Sequence, residues 1–283
     1  MELLIENKNL SKFPDIDFEN KKIKRLSIYN NEIKHLPDKL WQMAQLEILN
    51  LSANRISHIP QEISNLKNLK MLDLGHNQIN EIPKSIGELQ QLSSFLYLSN
   101  NNLKLLPNEI GELVNLKYLN VTDNSLSELP ATLTNLRSLV ELRMYNNKIK
   151  SLPENFAQLQ DLREIYLMNN ELKSLPDDFG ALKKLRICDF ESNQIEFLPE
   201  SIGTLTDLQI INLRNNKLAQ LPNVFGEMKA LRRIDLRANC LKSLPDSLRK
   251  LTKLDKLDLR WNSGLELPEW IDELEACGCL VYS

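Results

Sequence analysis

The chain has 283 residues, 42% of them apolar and 26% charged, with a formal net charge of −3. That balance gives no electrostatic case for nucleic acid or an anionic membrane surface as a partner. No apolar run approaches the ~18 residues of a membrane span, and the opening Met-Glu-Leu-Leu-Ile-Glu-Asn-Lys is not a secretory signal.

Twelve prolines divide the chain into equal lengths. They fall at Pro14, Pro37, Pro60, Pro83, Pro107, Pro130, Pro153, Pro176, Pro199, Pro222, Pro245 and Pro268, every interval being 23 residues except the 24 between Pro83 and Pro107. A fixed period running from end to end marks a repeat array rather than one or two large globular domains. No Gly/Ser/Pro linker, charge block or low-complexity tract interrupts it. Residues 1–283 are therefore expected to form a single domain, with a capping coil over 1–22, about eleven repeats over 23–274 and a cap over 275–283.

The first coil is imperfect. Leu3, Ile5, Leu10, Phe13 and Pro14 fit the repeat, but Lys8 stands where later coils carry asparagine, as suits an N-terminal cap. A regular coil reads Leu46, Leu49, Leu51, Asn54, Ile56, Ile59, Pro60, Ile63, Leu66, and the next reads Leu69, Leu72, Leu74, Asn77, Ile79, Ile82, Pro83, Ile86, Leu89. The L-x-L core alternates with period two, so a short strand is expected with Leu49 and Leu51 inward and Asn50 outward. A strand this short is stable only when stacked on its neighbours as a parallel sheet.

After each strand the chain must turn, leaving backbone groups inside the coil that need partners. A carboxamide supplies donors and an acceptor together. That is the expected task of Asn31, Asn54, Asn77, Asn101, Asn124, Asn147, Asn170, Asn193, Asn216, Asn239 and Asn262, which are read as structural rather than as a binding row. The return segment P-x-x-I-G-x-L places apolar residues three and six positions after proline, a helical interval opened by a residue with fixed φ. Phe156, Phe179 and Phe225 take the first of these slots and are expected in the core. Gly87, Gly111, Gly180, Gly203 and Gly226 stand four after proline, where tight packing or a relaxed backbone accounts for them.

The pattern L-x-x-L-x-L-x-x-N-x-L resembles the leucine-rich repeat family over essentially the whole chain. The 23-residue L-P-x-x-I-G unit is similar to the class found in Scribble, Erbin and Ras-suppressor type scaffolds and in many bacterial proteins. The resemblance implies an α/β repeat solenoid, a right-handed curved array with a concave parallel β-sheet and convex short helices or 3-10 turns. It also implies partner binding on the concave face.

The 24-residue interval places one extra residue around Gln91–Phe95, ahead of strand residues Leu96 and Leu98. Either a bulge that redirects neighbouring side chains or a neutral insertion is consistent with it. Four of the six tyrosines then fall on expected concave positions in four consecutive coils: Tyr97, Tyr118, Tyr145 and Tyr166. With Phe95, Arg143 and Met168 they match the residue types of interface hot spots and form the main candidate site. The alternative is that aromatic residues simply suit a pleated surface.

Toward the C-terminus, Arg214, Arg237 and Arg260 form a column beside Asn212, Asp235 and Asp258, with Arg233 and Trp261 nearby. Mutual pairing of these charges is the expected reading, and Trp261 keeps a secondary binding site open. Cys277, Leu280 and Tyr282 are assigned to the inward leucine slots of a last half coil, behind Trp270 and Ile271. Cys188 takes an inward slot, whereas Cys240 and Cys279 take variable ones. Extracellular relatives usually carry cysteine clusters in both flanking caps. The N-terminal region here has none, so reduced thiols are expected.

His35, His58 and Glu81 share one slot in successive coils and are read as surface residues, not a metal site. No Ser-His-Asp or Cys-His pattern, glycine-rich phosphate loop or H-E-x-x-H is present, so no catalytic residues, metal or cofactor are expected. The expected function is a cytoplasmic interaction or scaffold module, of a signalling kind, binding a protein or peptide on the concave sheet. Alternatives are a receptor for a small ligand or carbohydrate on the same aromatics, and a structural or secreted bacterial surface protein whose signal lies outside the sequence.

Overall fold

Each period begins with a three-residue strand, as the L-x-L alternation requires. The computed structural model describes residues 1–283 and divides into two compact units, Met1–Leu139 and Val140–Ser283. The first holds β1 (Glu2–Leu4), β2 (Arg25–Ser27), β3 (Ile48–Asn50), β4 (Met71–Asp73), β5 (Phe95–Tyr97) and β6 (Tyr118–Asn120). The second holds β7 (Glu141–Arg143), β8 (Glu164–Tyr166), β9 (Ile187–Asp189), β10 (Ile210–Asn212), β11 (Arg233–Asp235) and β12 (Lys256–Asp258), then helix α1 (Ile271–Ala276) and β13 (Leu280–Tyr282).

Within each unit the strands pair parallel, in chain order and in step. The middle residue of every strand from β2 to β12 points into the core, so Leu26, Leu49, Leu72, Leu96 and Leu119 stack in one unit. Leu142, Ile165, Cys188, Ile211, Ile234 and Leu257 stack in the other. The family's α/β solenoid class is what forms, a parallel sheet on one side of each coil and 3-10 turns on the other.

Most of those turns begin one residue after proline, and those at Phe156–Gln158 and Phe179–Ala181 begin three after it. Pro60 is still extended (ψ 165°), and its carbonyl accepts from Ile63 at the start of the turn Gln61–Asn65. Ile63 and Leu66 are both buried, as the spacing requires. Phe156, Phe179 and Phe225 are fully buried, with Phe156 and Phe179 stacked at 6.2 Å between centroids.

The asparagine row is a ladder. The Asn54 carboxamide donates to the carbonyls of Ile28 (2.9 Å), Leu51 (3.1 Å) and Ser52 (3.1 Å), and its Oδ1 accepts from the Ile33 amide (3.0 Å). Asn193 repeats this with Leu167, Phe190, Glu191 and Leu172. Two of the four partners in each set belong to the preceding coil. The residue before each ladder asparagine is left-handed, from Asn30 (φ 52°) to Trp261 (φ 65°). Asparagine tolerates that conformation, whereas a bulky tryptophan is strained by it.

The glycines four after proline mark close approach of consecutive coils. A Cβ at Gly180 would lie 1.8 Å from the Ser201 carbonyl oxygen, and one at Gly226 would lie 1.9 Å from that of Ser247. Tight packing, rather than a relaxed backbone, is the reason for them. The extra residue of the 24-residue interval is absorbed at Ser93–Ser94, ahead of β5, whose pairing Met71↔Phe95, Leu72↔Leu96, Asp73↔Tyr97 stays in step. No bulge redirects the strand.

The C-terminal half coil corrects an expectation. Leu280 and Tyr282 are not inward but 60% and 40% exposed, and Val281 pairs with inward Leu257. Cys279 is buried and Cys277 exposed, the reverse of the expected assignment. The cause is α1, which replaces the usual 3-10 turn and adds one residue between β12 and β13, so every side chain flips face.

Two substitutions test this packing. Asn54→Ala leaves buried backbone groups unpaired and should lower the unfolding free energy by about 1–3 kcal/mol for each group left without a partner, read by urea denaturation. Gly180→Ala should cost about 1–3 kcal/mol through overpacking, whereas unchanged thermal melting would show that the coils can separate at no cost.

Candidate functional site

Residues one and three of each strand project from the open sheet face, away from the core. In the first unit, position one carries Arg25, Ile48, Met71, Phe95 and Tyr118 in register. Phe95 and Tyr118 are neighbours across β5 and β6, and Tyr97 occupies position three of β5. The three rings form one cluster: Phe95–Tyr97 at 5.6 Å and 7° between planes, Phe95–Tyr118 at 5.2 Å, Tyr97–Tyr118 at 5.1 Å. Phe95 is 38% exposed, and both tyrosines are half-buried. Half-buried Ile48 and Met71 lengthen this apolar strip along the same column. The sequence carries a signal for them, since both stand two residues after the first leucine of their repeat, but a count of aromatic residues passes over them.

The other expected site residues lie in the second unit, and each group stands on its own unit's face. Arg143 and Tyr166 are direct neighbours in position three, with the guanidinium 4.8 Å from the ring centroid. Arg143 also pairs with Glu141, and the Tyr166 hydroxyl donates to Glu164 at 2.8 Å. Burial and the carboxylate of Glu164 hold the Tyr166 phenol well above its ordinary range, so it is a donor at any physiological pH. Tyr145 and Met168, two residues further on in their coils, are half-buried beside them.

Toward β12 the face is charged and internally paired. Arg214 meets Glu191 at 3.4 Å, Arg237 meets Asp235 at 2.9 Å and Asp258 at 3.6 Å, and Arg260 meets Asp258 at 2.7 Å. Lys256 adds a further pair, also to Asp258, at 3.3 Å. Asp258 is fully buried beneath these cations rather than displayed beside them, which corrects its expected place on the face, and Ser27 is buried likewise. Trp261 is 63% exposed, with the guanidinium carbons of Arg214, Arg237 and Arg260 at 5.6, 5.9 and 5.7 Å from its ring. The arginines thus support an exposed indole by cation–π contact instead of waiting for an anion.

Burial holds the Cys188 thiol well above its usual range and pushes Cys279 up to about 11, away from thiolate reactivity. All four cysteines are free thiols, and no group of His, Cys, Asp or Glu is placed to hold a metal. No helix is long and apolar enough to cross a membrane. A cavity of about 500 Å³ lies along Pro83, Pro107 and Pro130, and one of about 600 Å³ lies against Asp15–Glu19, both away from the expected site residues.

The profile of the family described as a leucine-rich repeat region matches residues 8–96, 94–189 and 155–283, and the chain belongs to that family. No curated protein matches. Among solved structures, a Leptospira interrogans leucine-rich repeat protein is similar at 28% identity, with TM-score 0.70 over 98% of this chain and 82% of that one. The plant peptide hormone receptor RGFR1, in complex with RGF2, is similar at 27% identity and TM-score 0.85 over 99% of this chain and 46% of that one. The Arabidopsis receptor kinase HAESA, in complex with the peptide hormone IDA and the co-receptor SERK1, is similar at 29% identity and TM-score 0.76, covering 91% and 45%. The chain spans less than half the length of either receptor chain. Its structural neighbours thus include proteins that bind peptides.

The buried carboxylate gives a pH signature. Burial alone would raise the Asp258 value, but hydrogen bonds from Arg260 and Lys256 and the nearby Arg237 charge outweigh it, and the net shift is downward. A depressed folded value means the stabilisation is complete above the unfolded value and is lost as pH falls through the folded one. Asp258→Asn should be less stable than wild type at pH near 7, where the carboxylate is ionised and held by its cations. The gap should close below about pH 4, and urea titrations showing a constant gap across pH would contradict this account.

Proposed function

We propose that the chain is a binding module for a protein or peptide, engaged through the open sheet face, which the family resemblance makes concave. The observation that carries this is the mutually packed Phe95–Tyr97–Tyr118 cluster, large aromatic area held on short strands and turned away from the core. Rigid aromatic side chains with a polar tip are the residue type on which interfaces concentrate their energy. Arg143, Tyr145, Tyr166 and Met168 supply a second contact group on the other unit. Arg214, Arg237 and Arg260 hold Trp261 as a secondary anchor there. The similar peptide-bound receptors support a protein or peptide partner. A small ligand or carbohydrate fits less well, because enclosure is what such ligands need and the described cavities lie elsewhere.

The reading is non-catalytic, with residues 1–283 acting as a single binding domain. The cytoplasm is our proposed compartment, supported by the four free thiols, two of them exposed. Affinity capture with wild type, Tyr97→Ala and Tyr145→Ala, after circular dichroism shows all three folded alike, tests the site. A partner captured by wild type should be weakened by about 2 kcal/mol, about thirtyfold, in at least one variant. Equal affinity for all three would remove the open face from consideration.

A further inference from the structure

Position one of the second unit's strands carries, in unbroken register, Glu141, Glu164, Ile187, Ile210, Arg233 and Lys256. The charges are sorted rather than alternated. Two acids stand side by side at one end, two cations at the other, with half-buried isoleucines between. Like charges directly across a strand pair repel, so a column selected for stability alone would interleave them.

The outer members are neutralised locally. Glu141 pairs with Arg143, and Lys256 pairs with buried Asp258 while resting 5.1 Å over the Tyr282 ring. The inner members are not. Glu164 receives only the neutral Tyr166 hydroxyl, and Arg233 is exposed with no carboxylate within ion-pair distance. What the face presents is therefore a negative charge on β8, an apolar step on β9 and β10, and a positive charge on β11.

We propose that this column binds an extended peptide segment of the order basic-x-apolar-x-acidic, lying across the strands from β8 to β11. The inference rests on the open-face reading above and names its ligand chemistry. Strands ~4.8 Å apart put Glu164 and Arg233 ~14 Å from each other, and an extended chain rising ~3.3 Å per residue covers ~13 Å in four residues. Residues i, i+2 and i+4 of such a chain share one face. The middle one falls at ~6.6 Å, between the columns of Ile187 and Ile210 at ~4.8 and ~9.6 Å. A Lys or Arg then meets Glu164, a Leu or Ile sits on the isoleucines, and an Asp or Glu meets Arg233. Complementary charge at both ends fixes register and direction.

The test is fluorescence anisotropy of the full chain with a labelled synthetic peptide, Gly-Ser-Lys-Ser-Leu-Ser-Glu-Ser-Gly. A permuted peptide of the same composition, with Lys and Glu adjacent and Leu at one end, serves as control. The ordered peptide should bind about tenfold more tightly than the permuted one, and Glu164→Lys or Arg233→Glu should each weaken it about tenfold. The double exchange should restore binding, because the peptide can lie end for end. Circular dichroism confirms that each variant is folded. Equal binding of the two peptides, no binding of either at millimolar concentration, or no recovery in the double exchange each overturns the proposal. A protein partner lost with Tyr145→Ala yet indifferent to the charge exchange would sink this inference and leave the open-face reading standing. That reading fails separately, when Tyr97→Ala and Tyr145→Ala retain every partner.

Discussion

One carboxamide per coil holds the array together. A chain that turns back on itself every 23 residues buries backbone donors and acceptors that no strand or helix can satisfy, because its strands are only three residues long. Left unpaired, each would cost as much as the packing of a side chain gains. Asn54 satisfies four such groups at once, three as donor and one as acceptor. Asparagine is the short side chain that offers both functions in one plane; aspartate has no donor, and a hydroxyl has only one. Leucine at the inward positions then needs only to fill space, which is why Cys188, Ile211 and Ile234 stand in leucine slots of the same stack.

Wherever a repeat slot has one physical task, its residue type reveals the structure. The ladder asparagines, the inward apolar residues and the buried phenylalanines are legible because each slot admits few residue types, whereas the glycines four after proline leave packing and backbone freedom both open, and only the coil spacing decides between them. The slots facing outward carry no such constraint. Pairing of Arg237 and Arg260 with aspartate is readable as a tendency of neighbouring charges, but the burial of Asp258 is not, because it depends on three cations closing over one strand position. The aromatic cluster is visible as residue types in adjacent coils, while the ring contacts that unite Phe95, Tyr97 and Tyr118 require geometry.

The end of the chain shows where periodic reasoning stops. Counting leucine slots into the last half coil puts Cys277, Leu280 and Tyr282 inside, and all three are exposed. Once α1 replaces a 3-10 turn, the period changes by one residue, and a one-residue change in a strand exchanges its two faces. The earlier insertion at Ser93–Ser94 has the same length and no such effect on slot assignment. There the leucines resume visibly at Leu96 and Leu98, so the sequence itself resets the count. In the last half coil Leu280 still fits the unshifted count, so the residues there do not signal the change.

The ladder also has a direction. The Asn54 side chain serves Ile28 and Ile33 of the coil before it, reaching back 26 and 21 residues, and Asn193 does the same for Leu167 and Leu172. A polypeptide leaves the ribosome N-terminus first. Each coil up to that of Asn239 therefore emerges with its turn still open and is closed only when the next coil's asparagine arrives. The growing array is always finished except for its newest member, and synthesis carries a single unfinished turn forward along the chain.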